Sequence, residues 1–163
     1  KGNDSWGWTD PRSNKEYAII GLDNGTAVVD MTDTENVIYW KLYAQLNQRL
    51  NFLEEAERGF KKALELGNYE IDTWIARGDI LLKLGEQEAA IYNFLQAAEF
   101  HPENAELEYR LGGLYFLQHE TEKGTFHLKN AVRNNQEYAF IIEELFPEVL
   151  NKILVKNLLK TTL

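Results

Sequence analysis

Residues 71–104 read IDTWIARGDILLKLGEQEAAIYNFLQAAEFHPEN, and this stretch decides the fold. Its key residues return at a spacing of 34 along the chain. Trp74 matches Trp40, Ala90 matches Ala56, Phe94 matches Phe60, and Ala97 matches Ala63. A further copy follows in register: Gly78 returns as Gly112, Leu81 as Tyr115, Phe94 as Leu128 and Ala97 as Ala131. A fixed period of this length is the mark of stacked helical repeats.

The quoted copy is the fullest: Trp74, Gly78, Leu81, Ala90, Phe94, Ala97 and Pro102. This pattern resembles the tetratricopeptide repeat (TPR). Trp74 and Leu81 are large enough to fill the space between two helices. Gly78 and Ala90 are small enough to let those helices approach. Pro102 stops the second helix, because it lacks an amide donor and restricts the residue before it. The repeats are expected at 37–70, 71–104 and 105–138. The outer copies depart from the pattern. The first has Ala44 for the glycine and Asn68 for the proline. The third has Glu108 for the tryptophan, Gly124 for the small alanine and Gln136 for the proline. Atypical end repeats are normal in such arrays.

The period predicts helices near 37–49, 53–66, 71–84, 87–100, 105–118 and 121–134, with Asn51, Gly67 and Gly85 at or near the breaks. Beyond Tyr138, two short helices are expected, 139–146 and 148–160, separated by Pro147. This pair would cover the open end of the array. It holds more apolar residues than one face needs, among them Phe140, Ile141, Leu145, Phe146, Val149, Ile153 and Leu154. A symmetric dimer through these helices is the alternative use for that surplus.

Residues 1–36 are of another kind. Asp23-Asn24-Gly25 is a turn signal, because Asn and Gly accept positive φ. Three short antiparallel strands are expected near 4–9, 16–22 and 25–31. The residues Trp6-Gly7-Trp8-Thr9-Asp10-Pro11, Lys15-Glu16-Tyr17-Ala18, Gly21-Leu22, Asn24-Gly25-Thr26 and Val29-Asp30 resemble one blade of the bacterial LVIVD-repeat β-propeller-like proteins. That family's Asp-Pro-x-x-Pro turn is lost here, where Thr34 follows Asp33 and Val37 stands for the second proline. One blade cannot close a propeller, and an isolated three-stranded sheet is marginal. The strands are expected to lean on the first repeat or on a partner. Asp33 or Asn36 is placed to cap the first helix. The joining of blade and repeats fits a fusion, and the start at Lys1, with neither Met nor a signal peptide, fits a processed or truncated form.

The fold class is thus mainly α: a three-repeat α-solenoid with C-terminal capping helices and a small N-terminal β element. Net charge is −9, with −4 from residues 1–36 and −5 from the rest. Neither part has a basic patch, which argues against a nucleic-acid partner. The apolar runs are too short to span a bilayer. With no cysteine, disulfides and thiolate metal sites are excluded. The TPR resemblance leans towards the cytoplasm, the blade resemblance towards export.

The resemblance implies a concave groove lined by the first helix of each repeat. Its candidates are Lys41, Gln45, Gln48 and Arg49; then Ile75, Asp79, Leu82 and Lys83; then Tyr109, Arg110, Gly113 and Phe116. Cations, amides and aromatics together suit an extended peptide or a helix. The carboxylate clamp of chaperone-binding TPR domains is not expected. Lys41 and Arg110 fall on clamp positions, but Gln45, Ala76 and Glu106 replace its other residues, and Glu106 would repel a carboxylate. Lys41 and Arg110 remain candidates for some other acidic group.

Chemistry finds little support. His101, His119 and His127 share no helix face suited to a metal. Glu54-Glu55 and Glu143-Glu144 read as solvated helix faces. Asp30, Asp33, Glu35 and Asn36 miss the spacing of a calcium loop. The Asn24-Gly25-Thr26 sequon is better explained as a turn. The expected function is noncatalytic, a protein-interaction scaffold without cofactors. The alternative is a structural or cell-surface module that uses the β segment; a weaker one is a regulatory subunit of an enzyme.

Overall fold

The computed structural model describes residues 5–13, 15–22, 25–30 and 36–160. The chain divides into two units, residues 1–68 and 69–163.

The first unit holds a three-stranded antiparallel sheet and a helix pair. Strands β1 (Ser5–Asp10), β2 (Lys15–Leu22) and β3 (Gly25–Asp30) lie in the order β1-β2-β3. Trp6 pairs with Ile19, and Ile19 with Val28. All three strands fall within a residue of the expected ranges. The β1–β2 turn is held by the Asp10 carboxylate, which accepts from the Arg12 amide at 3.0 Å and from the Ser13 hydroxyl at 2.5 Å. These bonds, Ser13 first, hold the Asp10 carboxyl below its usual pKa. Asp23 and Asn24 of the expected second turn, and Asp33 and Glu35 of the acidic cluster, lie outside the described residues.

Helix α1 (Val37–Arg49) and helix α2 (Leu53–Glu65) form the helix pair. Asn36 is the cap: its side-chain oxygen accepts from the amides of Ile38 and Tyr39 at 2.9 and 3.3 Å. The closest approach is at Gly59, where an added Cβ would stand 2.9 Å from the Ala44 side chain. Ala44, Ala56, Phe60 and Ala63 are buried, as the repeat pattern requires.

The second unit stacks two more pairs, α3 (Ile71–Lys83) with α4 (Gln87–Phe100) and α5 (Ala105–Leu117) with α6 (Thr121–Asn134). A Cβ at Gly78 would lie 2.2 Å from the Phe94 ring, and one at Gly112 would lie 2.6 Å from Leu128. The same glycine serves the same contact one repeat apart. The turn inside each pair uses positive φ at Asn51 (61°), Gly85 (81°) and His119 (62°), again at the repeat spacing. Glycine takes that conformation freely, and asparagine at small cost, whereas histidine is held in it by its neighbours.

The C-terminal segment departs from the expected pair of helices. A 3-10 turn (Gln136–Ala139) leads into α7 (Phe140–Leu145), and a second 3-10 turn (Pro147–Asn151) precedes α8 (Ile153–Lys160). Pro147 is the reason. It holds Phe146 out of the helical region, at φ −135° and ψ 49°, and opens a tighter turn instead of continuing the helix. No helix among the described residues is long and apolar enough to cross a membrane, and none of their side chains group as metal ligands.

Candidate functional site

The expected groove residues meet two fates. On α1, Gln45 and Arg49 are exposed, and Lys41 and Gln48 are half-buried. On α3, Lys83 is exposed, and Ile75, Asp79 and Leu82 are half-buried. On α5 the expectation fails: Tyr109, Arg110, Gly113 and Phe116 are all buried. The chain's own C-terminal segment packs on that face. Phe146 lies over Gly113, where a Cβ would stand 2.2 Å from its ring. Lys152 donates to the Phe116 carbonyl at 2.8 Å and sits 5.4 Å above the Phe116 ring. The expected array cap therefore fills a stretch that sequence reasoning assigned to a ligand.

Arg110 is also spoken for. Its guanidinium donates to both oxygens of Asp79, at 3.0 and 3.1 Å, and to Glu106 at 2.8 Å. The Phe94 ring centroid lies 6.0 Å away. The residue is 6% exposed. A guanidinium fork matched to two carboxylates is a strong, directional arrangement. It answers the charge that Glu106 brings and leaves Arg110 unable to receive a partner's acidic group.

Sequence reasoning also missed a pair. In the second repeat, the buried Asn93 side chain donates to the Trp74 carbonyl at 2.8 Å. One repeat later the corresponding residues are His127 and Glu108, and His127 Nδ1 lies 2.7 Å from the Glu108 carboxylate. Glu108, which looked like a defect at a tryptophan position, is matched by His127 from the facing helix. The signal was present in the 34-residue spacing, because both members of the slot change together. His101 is likewise engaged, with Nε2 2.6 Å from the Tyr69 carbonyl.

Tyr109 is fully buried, and its hydroxyl finds no hydrogen-bond partner among the described residues. Burial pushes its pKa up to about 12. The folded chain thus holds the phenol neutral after an unfolded tyrosine, near 10, has ionised. This ionisation leaves stability untouched below pH 10 and lowers it as pH rises from 10 to 12. Tyr109→Phe is expected to leave stability at pH 7 unchanged or slightly raised, because an unpaired polar group is removed. The variant should lose less stability than the parent between pH 10 and 12. Denaturant melts at those pH values measure this, and equal losses in the two proteins would exclude it.

Paired helices at a fixed repeat, glycine-mediated close approach and a capped end define a TPR-type helical array. A family model described as TPR repeat matches residues 78–118. The chain is 35% identical over 121 residues to BBSome complex member BBS4 from Bos taurus, across 72% of this chain and 22% of that protein. It thus spans about a fifth of the length of that curated relative. Among solved structures, the crystal structure of MamA protein superposes with a TM-score of 0.62 at 20% identity, over 73% of this chain and 64% of that one. A structure of MamA 41-end from Desulfovibrio magneticus RS-1 gives 0.56 at 20% identity, over 80% of each chain. These likenesses support a TPR protein and a protein–protein interaction scaffold. They lend no support to the blade-like resemblance of residues 1–36.

Proposed function

We propose that the chain is a noncatalytic scaffold that binds an extended segment of a partner protein on the inner helix face of its second unit. The observation that carries this reading is the accessible set on α3. Lys83 is exposed, and Ile75 and Leu82 are half-buried, so the helix offers a cation together with apolar side chains. That chemistry suits a segment with acidic and aliphatic residues. The α5 face contributes no contacts, because Phe146 and Lys152 already cover it.

The test is selection from a displayed library of random extended peptides. Sequences enriched in Asp, Glu and aliphatic residues are expected. Lys83→Glu should weaken the selected peptides about tenfold, with the helical circular dichroism unchanged. Peptides that bind the variant as well as the parent would overturn this reading.

A further inference from the structure

Helix α8 turns Val155 into the core, with half-buried Leu158 and Leu159 on either side of it. Helical geometry then carries Ile153, Lys156 and Lys160 to the opposite side, away from the core. Their exposure agrees: both lysines are exposed, and Ile153 is 77% exposed. The helix holds no acidic residue.

Helix α4 presents the opposite chemistry. Glu88, Tyr92, Leu95 and Glu99 form one exposed stripe along it, at helical spacing. Tyr92 is 64% exposed and Leu95 is 38% exposed. The two glutamates are the only charged residues of this helix. Glu88, Lys156 and Lys160 form no ion pair among the described residues. Each face thus offers apolar surface together with the charge that the other face lacks.

We propose that copies of this chain associate head to tail, with α8 of one copy lying antiparallel on α4 of the next. In that direction Ile153, Lys156 and Lys160 run past Leu95, Tyr92 and Glu88 at the same intervals of three and four residues. Ile153 packs on Leu95, Lys156 lies over the Tyr92 ring, and Lys160 pairs with Glu88. Glu99 comes to the N-terminal end of the neighbour's α8, where a carboxylate is favoured. Helix α6 is a poorer occupant, because in the same arrangement its exposed Glu122 would face Glu99. The two faces differ, so the contact is heterologous. A bound pair keeps one free α4 face and one free α8 face, and further copies can add. The stripes are narrow, so the association is weak, with a dissociation constant on the order of 0.1–1 mM. It is independent of the inner-face reading.

Sedimentation equilibrium of the full chain tests it. The average mass of the parent should rise with concentration. Ile153→Ser with Lys160→Gln blocks the α8 face, and Tyr92→Ala with Glu88→Gln blocks the α4 face. Each pair of substitutions should raise the dissociation constant at least about tenfold. An equimolar mixture of the two variants should associate again and stop at the dimer, because one keeps α4 and the other keeps α8. Lys160→Glu alone should weaken association, and adding Glu88→Lys to the same chain should restore it. All these positions are exposed, and circular dichroism checks the fold. A parent that stays monomeric up to about 1 mM would overturn the proposal. So would a mixture that associates no more than either variant alone, or a parent association that these substitutions leave unchanged.

Discussion

Phe146→Ala is expected to destabilise the second unit by about 3–5 kcal/mol. The ring is buried and sits directly on Gly113 of α5, so truncation removes its burial and leaves a void that the backbone of α5 cannot fill. Gly113→Ala should also destabilise, because its new methyl would occupy the space of the Phe146 ring. The two losses should not add. In the double variant the new methyl partly fills the void, so the cost falls below the sum of the single losses. Denaturant melts of the four proteins give the coupling directly. Strict additivity would mean that the ring does not rest on that glycine.

Arg110→Met should cost about 2–4 kcal/mol, since it strands the Asp79 and Glu106 carboxylates that the guanidinium now joins. Both carboxylates keep some access to water, which limits the loss. Adding Asp79→Asn and Glu106→Gln to Arg110→Met should recover most of it, because charge is then removed from both sides. This series separates two roles. A groove arginine waiting for a partner would be replaced with little effect on stability. An arginine that locks α5 to α3 gives the loss and recovery described, seen in the midpoint of chemical unfolding.

These two sites show where reading the sequence succeeds and where it stops. The helix boundaries between Val37 and Asn134 were predicted to within a residue or so, because each is set locally. Residues 51, 85 and 119 turn the chain inside each pair, Asn36 and Asn104 cap their helices, and a fixed period repeats the pattern. The close approach of the helices at Gly78 was expected from the same pattern, and the structure supplies its partner, the Phe94 ring. The α1 and α3 candidates kept the accessibility expected of them in part, whereas those on α5 did not. Their burial depends on a segment some 30 residues further along, and no periodicity relates Phe146 to Gly113. The Asp79–Arg110 pair was invisible for a related reason. Each side chain reads as an ordinary surface charge until the helix that carries its partner is laid beside it.

The sequence alone settled that the chain stacks paired helices at a 34-residue period, because helix caps, turn residues and small-for-large contacts are local features that repeat. Tertiary structure alone decided which inner surface stays accessible. It placed Phe146 and Lys152 on α5 and gave Arg110 two carboxylates. Those outcomes come from contacts between distant segments, where burial and charge pairing depend on which groups meet and not on how either segment reads by itself.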